Sequence, residues 1–267
     1  MAIRKDAPAN GSPIWVELSS SDLDTSISFY AELLGWQVTV SGPELGGYAE
    51  ASKDGHRVAG LGPNRSKETG PANPDGWTVY LATDDIEGVV ARAKDAGGQV
   101  IQKPMQIGGL GSMALVADPS TAVFGLWQPE THYGTELLEE PGGVAWHELY
   151  TRSFAASKEF YADVFGAGYK TVGDTDDFRY AELQIEGRTV AGVMDVDSFF
   201  PVGVPSYWGV YFSVTDCQAT FDRAVELGAS PIMDVERTPF GVIGQFIDPT
   251  GAQVKLHQRI SEDGSSQ

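Results

Sequence analysis

The chain of 267 residues is 42% hydrophobic, 10% aromatic and 21% charged, a globular mix that excludes wholesale disorder. Its 18 Lys+Arg against 37 Asp+Glu leave a net charge of −19, which repels nucleic acid and anionic membranes alike. The lone cysteine, Cys217, excludes an internal disulfide framework and a cysteine-based zinc finger.

No apolar run approaches the about 20 residues of a membrane span, and the opening MAIRKDAPANGSP lacks a signal peptide's apolar segment. The expectation is a cytoplasmic protein.

In chain order, residues 13–18 alternate apolar and polar side chains and predict a strand. Ser20-Ser21-Asp22 offers helix caps, and Leu23, Ile27, Tyr30 and Leu34 share one helical face that Gly35 ends. Short strands are predicted over 36–40, 47–52 and 56–61, the last two joined by an Asp54-Gly55 turn. The pattern then restarts. A strand over 77–82 leads to the cap Thr83-Asp84-Asp85 and a helical face of Ile86, Val89, Val90 and Ala93, which stops at Gly97-Gly98. Strands near 99–103, 113–117 and 122–127 follow, with Asp118-Pro119 turning between the last two.

The whole order then recurs. Trp15-Val-Glu-Leu18 returns as Trp146-His-Glu-Leu149, and Phe29-Tyr30-Ala31 as Phe160-Tyr161-Ala162. Tyr48-Ala-Glu50 returns as Tyr180-Ala-Glu182, Trp77-x-Val79-Tyr80 as Trp208-x-Val210-Tyr211, and Asp118-Pro119 as Asp248-Pro249. The offset stays between 130 and 132 residues, so the chain is a tandem duplication. The reading is α+β, with four βαβββ modules in two domains, 11–130 and 144–260, a linker over 131–143 and a disordered tail over 261–267. The acidity is spread evenly, −8 over 11–130 and −7 over 141–260, which reads as a soluble surface.

The stretch from Ser26 to Trp36 (SISFYAELLGW), the restart WTVYLATDD, the endings DPSTAVFGLWQ and DPTGAQVKLHQ, and the second-half SKEFYADVFG resemble the vicinal oxygen chelate superfamily. This group includes glyoxalase I, bleomycin-resistance proteins and extradiol dioxygenases. The chain is most similar to its two-domain actinobacterial branch, labelled glyoxalase-like or "hydroxylase". The resemblance implies paired modules forming an open barrel around a cleft that holds metal and substrate, or a drug. It also implies four metal-ligand positions per domain. These fall on Trp15, Ala59 or Gly60, Thr78 and Gly125 in the first domain, and on Trp146, Gly192, Gly209 and Lys255 in the second. Neither set offers the imidazole and carboxylate donors that such metals need, so no metal and no other cofactor is expected.

The inward-facing parity of the strands instead gives two aromatic clefts with a few polar groups, the make-up of a small-molecule pocket. Substrate-binding candidates are Trp15, Glu17, Tyr48, Tyr80 and Trp127 in the first, and Trp146, Tyr150, Tyr180 and Tyr211 in the second. Glu148, Lys255 and His257 form a candidate proton-transfer group, since a buried Glu is raised toward the pKa of His. This makes the second domain the favoured site. Glu17 and Glu148 are read equally as carboxylates accepting backbone hydrogen bonds between modules. His147 lies on the opposite face to Glu148, and His56 and His132 are read as surface.

The functional expectation is a metal-independent protein binding an aromatic or apolar small molecule, with its transformation left open as a lyase, isomerase or tailoring step. The alternatives are sequestration of a drug or metabolite, and a metal-dependent glyoxalase or dioxygenase. The two domains are expected to pair internally, with a homodimer left open, and neither nucleic acid nor membrane is expected as a partner.

Overall fold

The computed structural model describes residues 2–42, 46–65 and 74–260. The predicted tail over 261–267 lies outside them. A short β1 (Ala2–Ile3) precedes the first module, which runs β2 (Pro13–Ser20), α1 (Leu23–Leu34), β3 (Gln37–Val40), β4 (Ala49–Lys53) and β5 (His56–Pro63). The second runs β6 (Gly76–Ala82), α2 (Ile86–Asp95), β7 (Gln99–Ile107), β8 (Gly111–Ala117) and β9 (Val123–Pro129). After β10 (Leu137–Leu138), the third runs β11 (Val144–Thr151), α3 (Phe154–Phe165), β12 (Gly168–Asp174), β13 (Arg179–Ile185) and β14 (Arg188–Asp195). The fourth runs β15 (Tyr207–Ser213), α4 (Cys217–Glu226), β16 (Ser230–Thr238), β17 (Gly241–Ile247) and β18 (Gln253–Gln258).

Each domain is one mixed sheet of eight strands with two helices. The orders are β3-β4-β5-β2-β6-β9-β8-β7 and β12-β13-β14-β11-β15-β18-β17-β16, the same path twice. The second sheet also carries β10 beside β11, with β1 on β10. The helices start where the caps predict. Asp22, Asp85 and Asp216 each accept a backbone N–H three residues on, at 2.9–3.1 Å, which satisfies an otherwise orphaned donor. Gly35 and Gly166 end α1 and α3 in the left-handed conformation, at φ 69° and 70°.

Helices cross-pack between domains, α1 on α4 and α2 on α3, and the central strands β6 and β15 approach one another. One continuous core results, holding Val16, Leu18 and Val79 from the first domain with Leu149, Val210 and Phe212 from the second. The residues that recur between the halves tie this seam. Tyr30 Oη donates to Asp248 at 2.7 Å and accepts from Trp77 Nε1 at 3.1 Å. In the other half, Tyr161 Oη donates to Asp118 at 3.3 Å and accepts from Trp208 Nε1 at 2.8 Å. Each aspartate also caps its own Asp-Pro turn, with Asp118 accepting from the N–H groups of Ser120 and Ala122 and Asp248 from those of Thr250 and Ala252.

Residues 131–143 are more than a connector. Leu137 is buried, β10 pairs with β11, and Trp36 Nε1 donates to the Gly142 carbonyl at 2.7 Å. His132 is only 8% exposed, which corrects its reading as a surface residue.

Candidate functional site

Strand alternation sorts β2 into two faces. Val16 and Leu18 join the shared core, while Trp15 and Glu17 face the concave side of the first sheet. There Trp15, Tyr80 and Trp127 form a second apolar cluster with Ile107, Met113 and Leu115. Trp15, Glu17, Tyr48, Tyr80 and Trp127 together line a cavity of about 420 Å³, so the five first-domain candidates meet at one place. Cavities of this size and lining suit small organic molecules. Leu110, in the turn between β7 and β8, and Met113 complete the apolar wall, and Glu50, Arg65 and His132 add charged or polar groups.

The polar centre of this cavity is Glu17. Tyr80 Oη donates to its Oε1 at 3.3 Å, and Tyr48 also bonds to it. Trp15 Nε1 donates to Tyr48 Oη at 3.1 Å. Tyr48 Oη occupies the space over Gly60, where a Cβ would stand 1.8 Å from it. Burial raises the Glu17 carboxyl above its ordinary range, and the two tyrosine bonds pull it part of the way back. Burial, reinforced by Glu17, lifts both phenols well above theirs, so Tyr48 and Tyr80 are neutral donors. The arrangement presents a carboxyl with two hydroxyls inside an aromatic box.

His132 stands edge-on to Trp15 and Trp127, with ring centroids at 4.6 and 5.7 Å. Its carbonyl accepts from Trp127 Nε1 at 2.8 Å, and its Nδ1 accepts from the Gly134 N–H. That assignment leaves Nε2 as the proton-bearing nitrogen, 3.5 Å from Glu50. The sequence carries no signal for this, because only the tertiary path of the linker brings His132 under the two indoles.

The second cleft gathers its own candidates differently. Glu148 accepts from the hydroxyls of Tyr150 and Tyr211, and Tyr180 bonds to Glu148 and Trp146. Lys255 Nζ donates to Tyr150 and, at 3.4 Å, to Tyr211, and it stands 3.8 Å from the centre of the Tyr150 ring. Burial lowers the Lys255 amine to about 8, against the opposing pull of Glu148. Tyr150 lies near-parallel to Phe200 and Tyr207, with centroids at 5.9 and 5.0 Å, and those two rings also stack on each other at 6.1 Å.

The predicted group of Glu148, Lys255 and His257 is therefore not assembled as a trio. Glu148 and Lys255 meet through two tyrosines, whereas His257 Nε2 bonds to the Phe240 carbonyl at 2.8 Å. The cause is register, since β17 and β18 pair Ile243 with His257 and set its ring against the hairpin before Gly241. His147 points to the other face of β11, where burial, helped by the charge of Arg4, lowers it to about 3 and keeps it neutral.

The residues do not fit the metal that glyoxalases and dioxygenases of this architecture hold. Among the described residues no three His, Cys, Asp or Glu side chains converge. Glu17 is engaged by two phenols, and Glu148 by phenols bonded to an amine.

Comparison with known proteins agrees with the fold. The profile described as "Glyoxalase/Bleomycin resistance protein/Dioxygenase superfamily" matches residues 13–125 and 143–256. The anthracycline biosynthesis protein DnrV of Streptomyces peucetius is 38% identical over 260 residues, spanning 91% of this chain and 92% of that protein. DauV of Streptomyces sp. strain C5, also described as an anthracycline biosynthesis protein, is 39% identical over the same span. In fold alone, the chain is similar to the Mn(II)-bound glyoxalase from Novosphingobium aromaticivorans, at TM-score 0.65 and 17% identity, covering 93% of this chain and 82% of that one. Two copies of the matched unit, each folded as an eight-stranded sheet, fill nearly all of the chain, which belongs to the glyoxalase/bleomycin resistance protein/dioxygenase superfamily.

Proposed function

We propose that this protein binds a flat aromatic or largely apolar small molecule without a bound metal, and that the first-domain cleft holds it. The cavity of about 420 Å³, walled by Trp15, Tyr48, Tyr80 and Trp127 around Glu17, carries the reading. Aromatic walls offer stacking area at low entropic cost, and one half-buried carboxyl with two hydroxyls orients a ligand's oxygen or amine. The 38% likeness to a protein of anthracycline biosynthesis supports a polycyclic aromatic ligand. The sequence reading favoured the second domain, and the aromatic cavity of the first supports placing the ligand there instead.

Sequestration without conversion is the second reading. It is favoured by the tyrosine hydrogen bonds that already occupy Glu17.

The test is titration of intrinsic tryptophan fluorescence with an anthracycline aglycone, before and after treatment with a chelator. Trp15 and Trp127 report on the cavity directly. Saturable quenching, unchanged by the chelator, is expected. Absence of saturation would overturn the reading, and binding that appears only after loading with manganese, iron, nickel or zinc would restore the metal-dependent alternative. Mass spectrometry of the recovered aglycone separates conversion from sequestration.

A further inference from the structure

We propose that the second domain's cleft is closed by its own side chains, with Tyr150 and Lys255 seated as an internal ligand, so that the chain takes one aromatic molecule and not two. The inference rests on the first-domain reading above and adds to it the reason the two clefts differ.

The registers allow direct comparison. Glu17 stands opposite Gly60 on one side and Thr78 on the other, and Glu148 stands opposite Gly192 and Gly209 in the same way. Tyr80 pairs with Gly125 as Tyr211 pairs with Lys255. The carboxylate and its flanking tyrosines are thus shared, Tyr48 and Tyr80 in one half and Tyr180 and Tyr211 in the other. Several cleft positions differ, Trp127 against His257 among them, and three of the exchanges bear on how the second cleft is filled. Ser19, Thr78 and Gly125 of the first domain become Tyr150, Gly209 and Lys255 of the second.

The exchanges depend on one another. The Tyr150 ring lies 3.0 Å from where a Cβ on Gly209 would stand, so a threonine there, as in the first domain, would require the ring to shift. In the first domain the Tyr80 ring lies over Gly125, 2.1 Å from the position of a Cβ, so that seat excludes a lysine. The second domain has therefore made room for a large ring and a long amine, and the first has not.

What they do there resembles occupancy by a ligand. The amine of Lys255 lies at the hydroxyl end of the Tyr150 ring and donates to two phenols, which in turn donate to Glu148. The donors and the acceptor that an incoming molecule needs are engaged from within, and Tyr150 is already stacked on Phe200 and Tyr207.

The experiment is equilibrium dialysis with a dihydroxyanthraquinone as probe, together with reductive methylation of the native protein read by peptide mass spectrometry. One molar equivalent of dye is expected for the wild type. Met113→Trp, which fills the first cleft, should weaken binding at least tenfold, and Tyr150→Ser/Lys255→Gly should admit a second equivalent. Two equivalents in the wild type would overturn the proposal, as would loss of binding in the Tyr150→Ser/Lys255→Gly variant with Met113→Trp unaffected. Methylation needs no ligand. Lys255 should stay unmodified while the exposed Lys5 and Lys94 react, and a Lys255 labelled as fast as Lys5 would overturn the closure. No dye binding with Lys255 protected would sink the ligand reading but leave the closure standing.

Discussion

The hydroxyl of Tyr30 and the carboxylate of Asp248, 218 residues apart, meet across the domain seam at 2.7 Å. Tyr161 and Asp118 repeat the arrangement in the other half. All four residues belong to the segments that recur between the halves, so the repeat records the residues that join the domains as well as those that build each one.

Removing either hydroxyl leaves a buried acceptor short of a donor. Tyr30→Phe and Tyr161→Phe should each cost about 1–3 kcal/mol. Chemical denaturation checks this, and an unchanged midpoint for both variants would mean that the seam bonds contribute nothing.

Glu17 carries a pH-dependent penalty. Its folded pKa is raised above the ordinary 4.5, so the fold resists its ionisation. The resulting stability is complete below pH 4.5 and is lost as pH rises through the folded value. Glu17→Gln removes the titration. The variant should melt above wild type at pH 8, with the gap narrowing toward pH 5, as measured by calorimetry. A gap that is flat with pH would show that Glu17 titrates as an exposed carboxylate does.

Breaking a buried ionic cluster on one side is worse than removing it whole. Lys255→Met leaves Glu148 buried without its cationic neighbour and should cost about 3 kcal/mol or more. Glu148→Gln added to it should restore part of that loss, which a double-mutant cycle measures as coupling. Strict additivity of the two changes would argue against the cluster.

Gly60 is glycine because Tyr48 Oη lies where its Cβ would be. Gly60→Ala must push Tyr48 off Glu17 and into the cavity. Anthracycline affinity is expected to fall about tenfold or more, with the fold retained by circular dichroism. Unimpaired binding would place the ligand away from Tyr48.

Cys217 is fully buried at the start of α4, and burial pushes its thiol up to about 12. A disulfide reagent at pH 8 should therefore label it only in denaturant. Rapid labelling of the native protein would reveal opening at that helix.

Much of this was legible in the residues themselves. Period-two alternation places Trp15 and Glu17 opposite Val16 and Leu18, and the helical faces ending at Gly35 and Gly97-Gly98 lie where the structure has α1 and α2. Other features were not. His132 occupies a polar, turn-rich stretch, and only the return of the chain beneath Trp15 and Trp127 buries it. Nothing local on the strand of Lys255 tells that Tyr150 leans over Gly209 toward its amine. The partner of Tyr30 lies in the other domain, beyond the reach of any local pattern.

The continuous core has a consequence for how the two halves can change. In a symmetric homodimer every substitution appears in both clefts at once, so a residue that fills one fills the other. Here the halves share a seam but are encoded separately, and a serine at 19 coexists with a tyrosine at 150. Covalent fusion keeps the geometry of a dimer while freeing each cleft to drift alone, one remaining hollow and the other becoming a packed support for it.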